Sequence, residues 1–277
     1  MARHRPGCGR GGVSAWVSGG GRMGIRRLGR FFYNRCTYLL VSKYLRRAMR
    51  SKPGRSVPKR GNPNAKEEII LLAEELIHER GFNAFSYNDI ASIQQVRPAA
   101  IHYHFPTKSD LGVAVLNHEL SRLALSEEKL RGLSGELQLR EIIHNFYWTR
   151  EAGWMCLIGA MTSDFSGLPE PVREKTGEIC RTILRQVSTA LEKERLEGRL
   201  QFKGKSADRA LLFLSGLMSS MLLSRGLGPD VFQRMVDQML RDMGSCWLLE
   251  DVVEGAGPPQ GSDPLKGCAT DLADLNT

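Results

Sequence analysis

The sequence lacks the features that define most enzymes, disulfide-rich proteins and membrane proteins. It has no glycine-rich phosphate loop, no Gly-x-Ser-x-Gly turn and no carboxylate pair at a catalytic spacing, so we predict no enzymatic activity and no cofactor. Its six cysteines are scattered without a Cys-x-x-Cys pair, which predicts reduced thiols in a cytoplasm and no metal site. No uninterrupted apolar run approaches the roughly 20 residues that span a bilayer, so we expect no membrane contact.

Acidic residues are absent from the first 65 positions. This segment holds 16 of the 39 Lys and Arg, whereas all 30 Asp and Glu follow it, so the remainder has a net charge of −7. The chain is therefore predicted to be an acidic globule with a basic arm. Residues 1–63, rich in Gly and Arg, are expected to be a largely disordered extension.

Three interpretations of the extension remain open. Residues 31–50 suit an arm that follows phosphates or an organelle-targeting peptide. The third interpretation is that the first 48 residues are upstream sequence and that synthesis begins near Met49. We favour the third, because a compact basic arm, Met49 to Arg60, then leads directly into the first clear helix.

From residue 64 onward, helix signals follow one another closely. Asn64 is a suitable N-cap, apolar residues recur at three- and four-residue spacing from Ile69 to Ile77, and Gly81 is a terminating glycine. They predict a first helix over about 65–80. This helix carries five acidic residues, which predicts an acidic face exposed to solvent.

Two short helices follow and predict a helix-turn-helix at about 86–105. Ser86 opens the first with a capping pattern, and Pro98 fits the first turn of the second. Gln95 lies in the turn, where glycine is common. Another capping pattern at Thr107 predicts the start of a longer helix that links the two halves of the chain.

The run GFNAFSYNDIASIQQVRPAAIHYHFPTKSDL resembles the N-terminal signature of the TetR family of bacterial transcriptional regulators. The resemblance is strong over about 64–124 and only a general helical pattern over 125–248. It implies an all-α fold, with an N-terminal three-helix DNA-binding domain at 64–124 and a C-terminal helical effector-binding and dimerisation domain at 125–250. It also implies a ligand-responsive repressor that binds palindromic operator DNA as a homodimer.

In such proteins the helix corresponding to 98–104 lies in the major groove, whose base edges carry a readable pattern. The implied DNA-binding residues are Arg97, Pro98, Ala99, Ala100, His102, Tyr103, His104 and Lys108. Lys108 resembles a phosphate anchor, because a cation and a helix N-terminus act there together. Because 65–131 has a net charge of −3, the basic arm before Asn64 is expected to supply much of the phosphate attraction.

The C-terminal half is predicted to be helical. Helices are expected at about 136–151 and 169–198, followed by two very apolar helices at about 206–225 and 229–248. The last two have apolar faces wider than one packing partner needs, which predicts a four-helix interface with a second copy of the chain. Residues 251–277, with several Gly, Pro and Ser, are predicted to be a disordered tail.

An effector pocket is expected among the middle helices. Its candidate lining is His144, Phe146, Trp148, Trp154, Met155 and Met161. The same residues suit a plain hydrophobic core equally well, and they do not identify the effector. Cys156 lies in the same region and is a candidate electrophile sensor, although no neighbouring residue predicts a lowered thiol pKa.

Two other functions remain compatible with the sequence. One is a helical interaction protein whose helix-turn-helix has lost DNA binding, and the other is a TetR-like activator without repressor activity. Salt-dependent binding of palindromic DNA separates the regulators from the interaction protein.

Overall fold

The computed structural model describes residues 64–163 and 165–254, and this part of the chain is helical without a strand. The helices are α1 (Ala65–Arg80), α2 (Tyr87–Gln94), α3 (Pro98–His104), α4 (Lys108–Leu130), α5 (Gly135–Glu151), α6 (Leu157–Thr162), α7 (Glu170–Leu196), α8 (Ser206–Leu227), α9 (Asp230–Asp242) and α10 (Leu249–Glu254). The all-α prediction is confirmed. The predictions for 1–63 and 255–277 lie outside the described residues.

The first three helices begin and end close to their predicted limits. The amide of Gly81, with φ at 88°, donates to the carbonyl of Ile77 at 2.8 Å and ends α1. A capping box opens α2, in which Ser86 and Asp89 satisfy each other's amides. Gln95 ends α2 with φ at 57°, a left-handed conformation that glycine adopts with less strain.

Helix α4 joins the helix-turn-helix to the C-terminal domain. It packs against α1 on one side and α7 on the other. The closest approach is at Gly112, where a Cβ atom would lie 2.7 Å from the ring of Phe82 and 3.0 Å from Val172. Helix α1 also packs against α6, so it contacts the C-terminal domain directly as well as through α4.

The end of the described chain differs from the prediction. The helix expected over 229–248 ends at Asp242, and Gly244 follows with φ at 71°, a conformation that a helix cannot continue. A further helix, α10, begins at Leu249, whose amide donates to the Asp237 carboxylate at 2.9 Å, and Val252 is buried. The boundary predicted at 251 therefore falls inside α10.

Helix α8 has an apolar surface that its neighbours do not cover. It packs against α7 and α9, yet five of its leucines remain at least 42% exposed: Leu211, Leu212, Leu222, Leu223 and Leu227. Among the described helices, α8 alone has the length and mean hydropathy, 1.5 over 18 residues, of a membrane-spanning helix, and 33% of that stretch is buried. Serines and a glycine interrupt its apolar run, which is why the run-length criterion missed it.

Candidate nucleic-acid interface and effector cavity

Helix α3 presents one face to the core and the other to solvent. Ile101 is fully buried, and Phe105, directly after the helix, is 3% exposed. The exposed side chains are those of Arg97, Pro98, Ala99, Ala100, His102 and Tyr103, while His104 is half-buried. The structure therefore brings seven of the eight expected DNA-binding residues together around one short helix.

The aromatic side chains of α3 differ in how firmly they are held. Tyr103 is 84% exposed and meets the edge of the His104 ring, with 5.2 Å between centroids. The Nδ1 atom of His102 lies 3.3 Å from the carbonyl oxygen of Pro106, and its ring lies edge-on to Tyr87 at 4.6 Å. His102 is thus fixed by the protein, whereas Tyr103 projects from it.

Tyr87 supports this surface from beneath, and sequence reasoning missed it. Its hydroxyl donates toward the carbonyls of Thr107 at 2.6 Å and Phe105 at 2.9 Å, which ties α2 to the α3–α4 turn. Burial, with a smaller contribution from Asp110, raises the pKa of Tyr87 to about 12. The group therefore stays protonated near neutral pH and remains a donor.

Lys108 is turned toward the protein. Its ammonium donates to the carbonyl of Phe85 and lies 4.3 Å and 5.0 Å from the ring centroids of Phe85 and Phe82. Burial lowers its pKa, although Asp89 acts in the opposite direction. The expected phosphate anchor thus also fastens α4 to the loop after α1.

A small cavity of about 50 Å³ lies between α4, α5, α6 and α7. Most of its lining is apolar, and the polar groups include the amides of Asn145 and Gln186 and the hydroxyl of Thr149. Its single carboxylate is that of Glu119, and no Lys, Arg or His is part of the lining. Cys156 also lines it.

Of the six residues expected to line an effector pocket, only Phe146 lines this cavity. His144 is buried and accepts a 2.7 Å hydrogen bond from the indole of Trp148 within α5. Met161 is fully buried in the core. Phe146 and His144 both belong to α5, but Phe146 faces the cavity and His144 faces Trp148.

Trp154 and Met155 contact the DNA-binding domain instead. The indole of Trp154 stacks on the ring of His78 with 5.2 Å between centroids. The Nδ1–H of His78 donates to the carbonyl of Met155 at 2.6 Å, because a carbonyl can only accept. These contacts join α1 to the segment that leads into α6.

A buried ionic cluster lies between α1 and α4. Arg122 of α4 donates to the carboxylates of both Glu74 on α1 and Glu119 on its own helix. The rings of His118 and His78 lie 3.5 Å and 3.7 Å from the Glu74 carboxylate. We refer to these five residues as the Arg122 cluster.

This cluster corrects the expectation for α1. The acidic residues of α1 were predicted to form an exposed face, but Glu74 and Glu75 are only 3% and 4% exposed. Buried carboxylates need partners, and Arg122 supplies one from 48 residues further along the chain. The sequence alone does not pair them.

Opposite charges determine the protonation state of the Arg122 cluster. Burial alone would raise the pKa of Glu74, yet Arg122, together with His118 and His78, holds that pKa well below its usual value. Burial alone would lower the pKa of Arg122, but Glu119 and Glu74 raise it above its usual value. Glu74 and Arg122 are therefore both charged at neutral pH.

Within residues 64–163 and 165–254, no group of three His, Cys, Asp or Glu side chains is arranged to hold a metal ion. The cysteines in this part, Cys156, Cys180 and Cys246, form no disulfide. Burial raises the pKa of the Cys180 thiol.

The geometry defines a class of protein. A helix-turn-helix with an outward-facing second helix is joined by a long helix to a helical domain that contains a cavity. Residues 69–115 of the chain match the family model described as bacterial regulatory proteins, tetR family.

Known proteins agree with that match over the described region. The chain is 28% identical to a TetR-family transcriptional regulator from Agrobacterium tumefaciens, with a TM-score of 0.60 over 66% of this chain and 99% of that structure. A TetR transcriptional regulator from Legionella pneumophila gives 28% identity and a TM-score of 0.56 over 67% and 99%. The transcriptional repressor NemR of Escherichia coli K12 is 24% identical over 53% of this chain and 77% of its own. Residues 69–115 therefore carry a TetR-type DNA-binding region, and the comparisons support a TetR-family transcriptional regulator.

Proposed function

We propose that the chain is a cytoplasmic repressor that binds palindromic operator DNA as a homodimer and is released by a small-molecule effector. The observation that carries this proposal is the division of α3 into a buried and an exposed face. Ile101 anchors the helix in the core, while Arg97, Ala99 and Tyr103 face solvent. A helix held in this way suits the major groove of DNA.

The exposed face of α3 has the chemistry for contact with base edges. Ala99 and Ala100 are small, which permits close approach and contact with thymine methyl groups. Arg97 stands at the start of the helix and supplies a bidentate donor. Tyr103 and His102 supply hydrogen-bonding groups further along. Lys108 and the basic arm before residue 64 provide the phosphate contacts.

Dimerisation through α8 and α9 accounts for the exposed leucines of α8. A monomer that exposes this many large apolar side chains on one helix has a surface that needs a partner. Pairing α8 and α9 with their copies forms a four-helix bundle around a two-fold axis. The same axis relates the two α3 helices, which must then lie about 34–36 Å apart to enter successive major grooves.

Effector release follows from the position of α4. This helix forms one wall of the cavity through Glu119 and Leu123, and its first residues, Thr107 and Lys108, adjoin α3. A ligand that favours a different tilt of α4 changes the separation of the two α3 helices. By linkage, such a ligand weakens DNA binding by the same factor by which DNA weakens ligand binding.

The proposal is tested with the full chain and with palindromic duplexes selected by it from random sequence. The dissociation constant is measured by fluorescence anisotropy over a range of salt concentrations, and log affinity should fall linearly with log salt. Arg97→Ala should weaken specific binding by about 1–3 kcal/mol. Arg173→Ala, at a half-buried arginine on α7 that pairs with Glu170, is the control.

Two results separate the alternatives. A folded chain that binds no duplex at any salt concentration would leave the helical interaction protein as the better description. A chain that binds its operator and increases transcription from the adjacent promoter in a reconstituted assay would be an activator.

A further inference from the structure

His102 is an exposed residue of α3, and one nitrogen of its imidazole is engaged by the protein. The Nδ1 atom lies 3.3 Å from the carbonyl oxygen of Pro106. A carbonyl oxygen can only accept a hydrogen bond, so this contact requires a proton on Nδ1. A neutral imidazole carries one proton, and its Nε2 atom is therefore an acceptor.

Tyr87 holds the imidazole of His102 in this orientation. The two rings meet edge-on with 4.6 Å between centroids. Tyr87 is itself fixed, because its hydroxyl donates toward the carbonyls of Phe105 and Thr107. These contacts direct Nδ1 toward the turn between α3 and α4, which leaves Nε2 as the nitrogen available to DNA.

An acceptor at Nε2 distinguishes between the bases of the major groove. The hydrogen-bond donors on the base edges there are the exocyclic amino groups, N6 of adenine and N4 of cytosine. Guanine presents O6 and N7, and thymine presents O4, all of which are acceptors. Neutral His102 thus matches adenine or cytosine, whereas guanine or thymine would place two acceptors against each other.

Protonation reverses the hydrogen-bonding role of Nε2. An imidazolium has an N–H at both nitrogens, so Nδ1 keeps its contact with Pro106 while Nε2 becomes a donor. A donor matches the acceptors of guanine and thymine. Imidazole is the side chain whose charge ordinarily changes between about pH 5 and 8. The base that His102 favours therefore depends on pH.

The other ionisable groups near His102 have roles of their own. Those on α3 and on the elements packed against it are Arg97, His104, Tyr87, Lys108 and Asp110. Tyr87 stays neutral, because burial raises its pKa to about 12. The carboxylate of Asp110 caps α4, and the ammonium of Lys108 is turned toward the core. The contact with Pro106 thus determines which nitrogen of His102 carries the proton.

We propose that His102 is a specificity-determining residue of the operator contact. In its neutral form it accepts a hydrogen bond from the amino group of adenine or cytosine, and in its protonated form it donates to guanine or thymine. The proposal rests on the proposed function, since it names what one residue of α3 recognises. Arg97 has no such dependence, because a guanidinium stays charged and can only donate.

The position of the proton is tested on the free chain. Histidine is labelled with nitrogen-15, and the NMR signals of the His102 imidazole are assigned by their absence from His102→Gln. At pH 8 the proton should be on Nδ1. A neutral imidazole with its proton on Nε2 overturns the proposal, because Nε2 would then be a donor in both charge states.

The base contact is tested on palindromic duplexes that the full chain selects from random sequence. Each base pair of a half-site is replaced in turn, and fluorescence anisotropy gives the dissociation constants of the wild type and of His102→Ala. One position per half-site should lose its discrimination in the variant. At pH 8 the wild type should prefer adenine or cytosine there by about fivefold or more. A preference for guanine or thymine, or no position that depends on His102, overturns the proposal.

The same duplexes are then compared at about pH 5.5. The wild-type preference at this position should shift by about fivefold or more toward guanine or thymine. His102→Gln carries an amide that does not titrate, so its base preference should be the same at both pH values. A wild-type preference that does not change with pH overturns the proposal.

His118 supplies the matched control for a general effect of pH. It lies on α4, outside the helix-turn-helix, and its side chain is partly exposed. His118→Gln should keep both the preference at pH 8 and its shift at the lower pH, and circular dichroism checks that each variant is folded at both. A loss of the shift in His118→Gln as complete as that in His102→Gln would overturn the assignment to His102.

The outcomes separate this inference from the proposed function. Operator binding in which no base preference depends on His102 refutes the inference and leaves the regulator intact. A folded chain that binds no duplex refutes the proposed function and, with it, the base contact, while the NMR measurement on the free chain still decides where the proton of His102 lies.

Discussion

At the start of α4, the ammonium of Lys108 contacts the carbonyl of Phe85 and the rings of Phe82 and Phe85. An ammonium has three donors, so this contact leaves others for a phosphate. We expect Lys108→Ala to reduce the free energy of unfolding by about 1–2 kcal/mol, because it removes a charge-assisted hydrogen bond and cation–π contacts.

The same variant also tests the phosphate contact. Loss of one phosphate contact should reduce the slope of log operator affinity against log salt by about one unit, for every duplex sequence. Lys129→Ala, at an exposed position on the same helix, should change neither the slope nor the stability. An unchanged slope in Lys108→Ala would assign Lys108 a structural role alone.

Glu74 makes the stability of the chain depend on pH. Because its pKa in the folded chain is well below that in the unfolded chain, ionised Glu74 stabilises the fold above about pH 4.3, and this contribution is lost as the pH falls through the folded-state pKa. Glu74→Gln should cost about 2 kcal/mol at pH 7. The difference in the free energy of unfolding between wild type and variant, measured by urea unfolding, should become smaller as the pH is lowered toward 3.

The exposed Glu79 on the same helix supplies the comparison for that experiment. Glu79→Gln should change the free energy of unfolding little at any pH. A stability gap for Glu74→Gln that stays constant from pH 7 to acid would mean that the Arg122 cluster does not depend on the Glu74 charge.

Among the elements, the turn of the helix-turn-helix carries a local strain. Gln95 has φ at 57°, and a side chain in this conformation costs about 1–2 kcal/mol. Gln95→Gly relieves this strain but increases the entropy of the unfolded chain, so we expect a net stabilisation of about 0.5–1 kcal/mol. Thermal unfolding measures the change. Ser92→Gly, inside α2, should destabilise by a similar amount, and destabilisation by Gln95→Gly would show that the Gln95 side chain has a stabilising role of its own.

Element limits could be predicted where the signal lies within a few residues of the limit. Three local signals predicted these helices: the capping box at Ser86, Pro98 in the first turn of α3, and the glycine after α1. Each acts within a few residues, so the sequence alone indicates where the helix begins or ends. The end of α9 was missed, because the apolar residues beyond Asp242 continue the pattern and pack as α10. The burial of Val252 belongs to tertiary packing, and the apolar periodicity of the sequence does not distinguish a separate α10 from a longer α9.

At the scale of the whole molecule, the sequence predicts less, because the cavity and the Arg122 cluster combine residues that are distant in the chain. Glu74 and Arg122 are 48 positions apart, and His78 meets Met155 across 77. The predicted pocket residues were chosen by composition alone. Composition does not reveal that Phe146 faces the cavity while Trp154 stacks on α1.

The quaternary structure determines whether the two domains act together on DNA. The exposed leucines of α8 are expected to be buried between two copies, so Leu212→Glu combined with Leu223→Glu should place unpaired charges in that interface. The wild type should sediment at twice the chain mass of 30.9 kDa, and the double variant as a monomer. Leu196→Glu, at a leucine of α7 that is 76% exposed, should remain dimeric.

Loss of the dimer has a measurable consequence for DNA binding. A monomer engages one half-site, so its affinity for the full palindrome should fall by about two orders of magnitude or more, while its affinity for an isolated half-site stays the same. A wild-type chain that sediments as a monomer and still binds the palindrome tightly would disprove the two-fold arrangement. The apolar face of α8, with its membrane-like hydropathy, would then have to contact something other than a second copy.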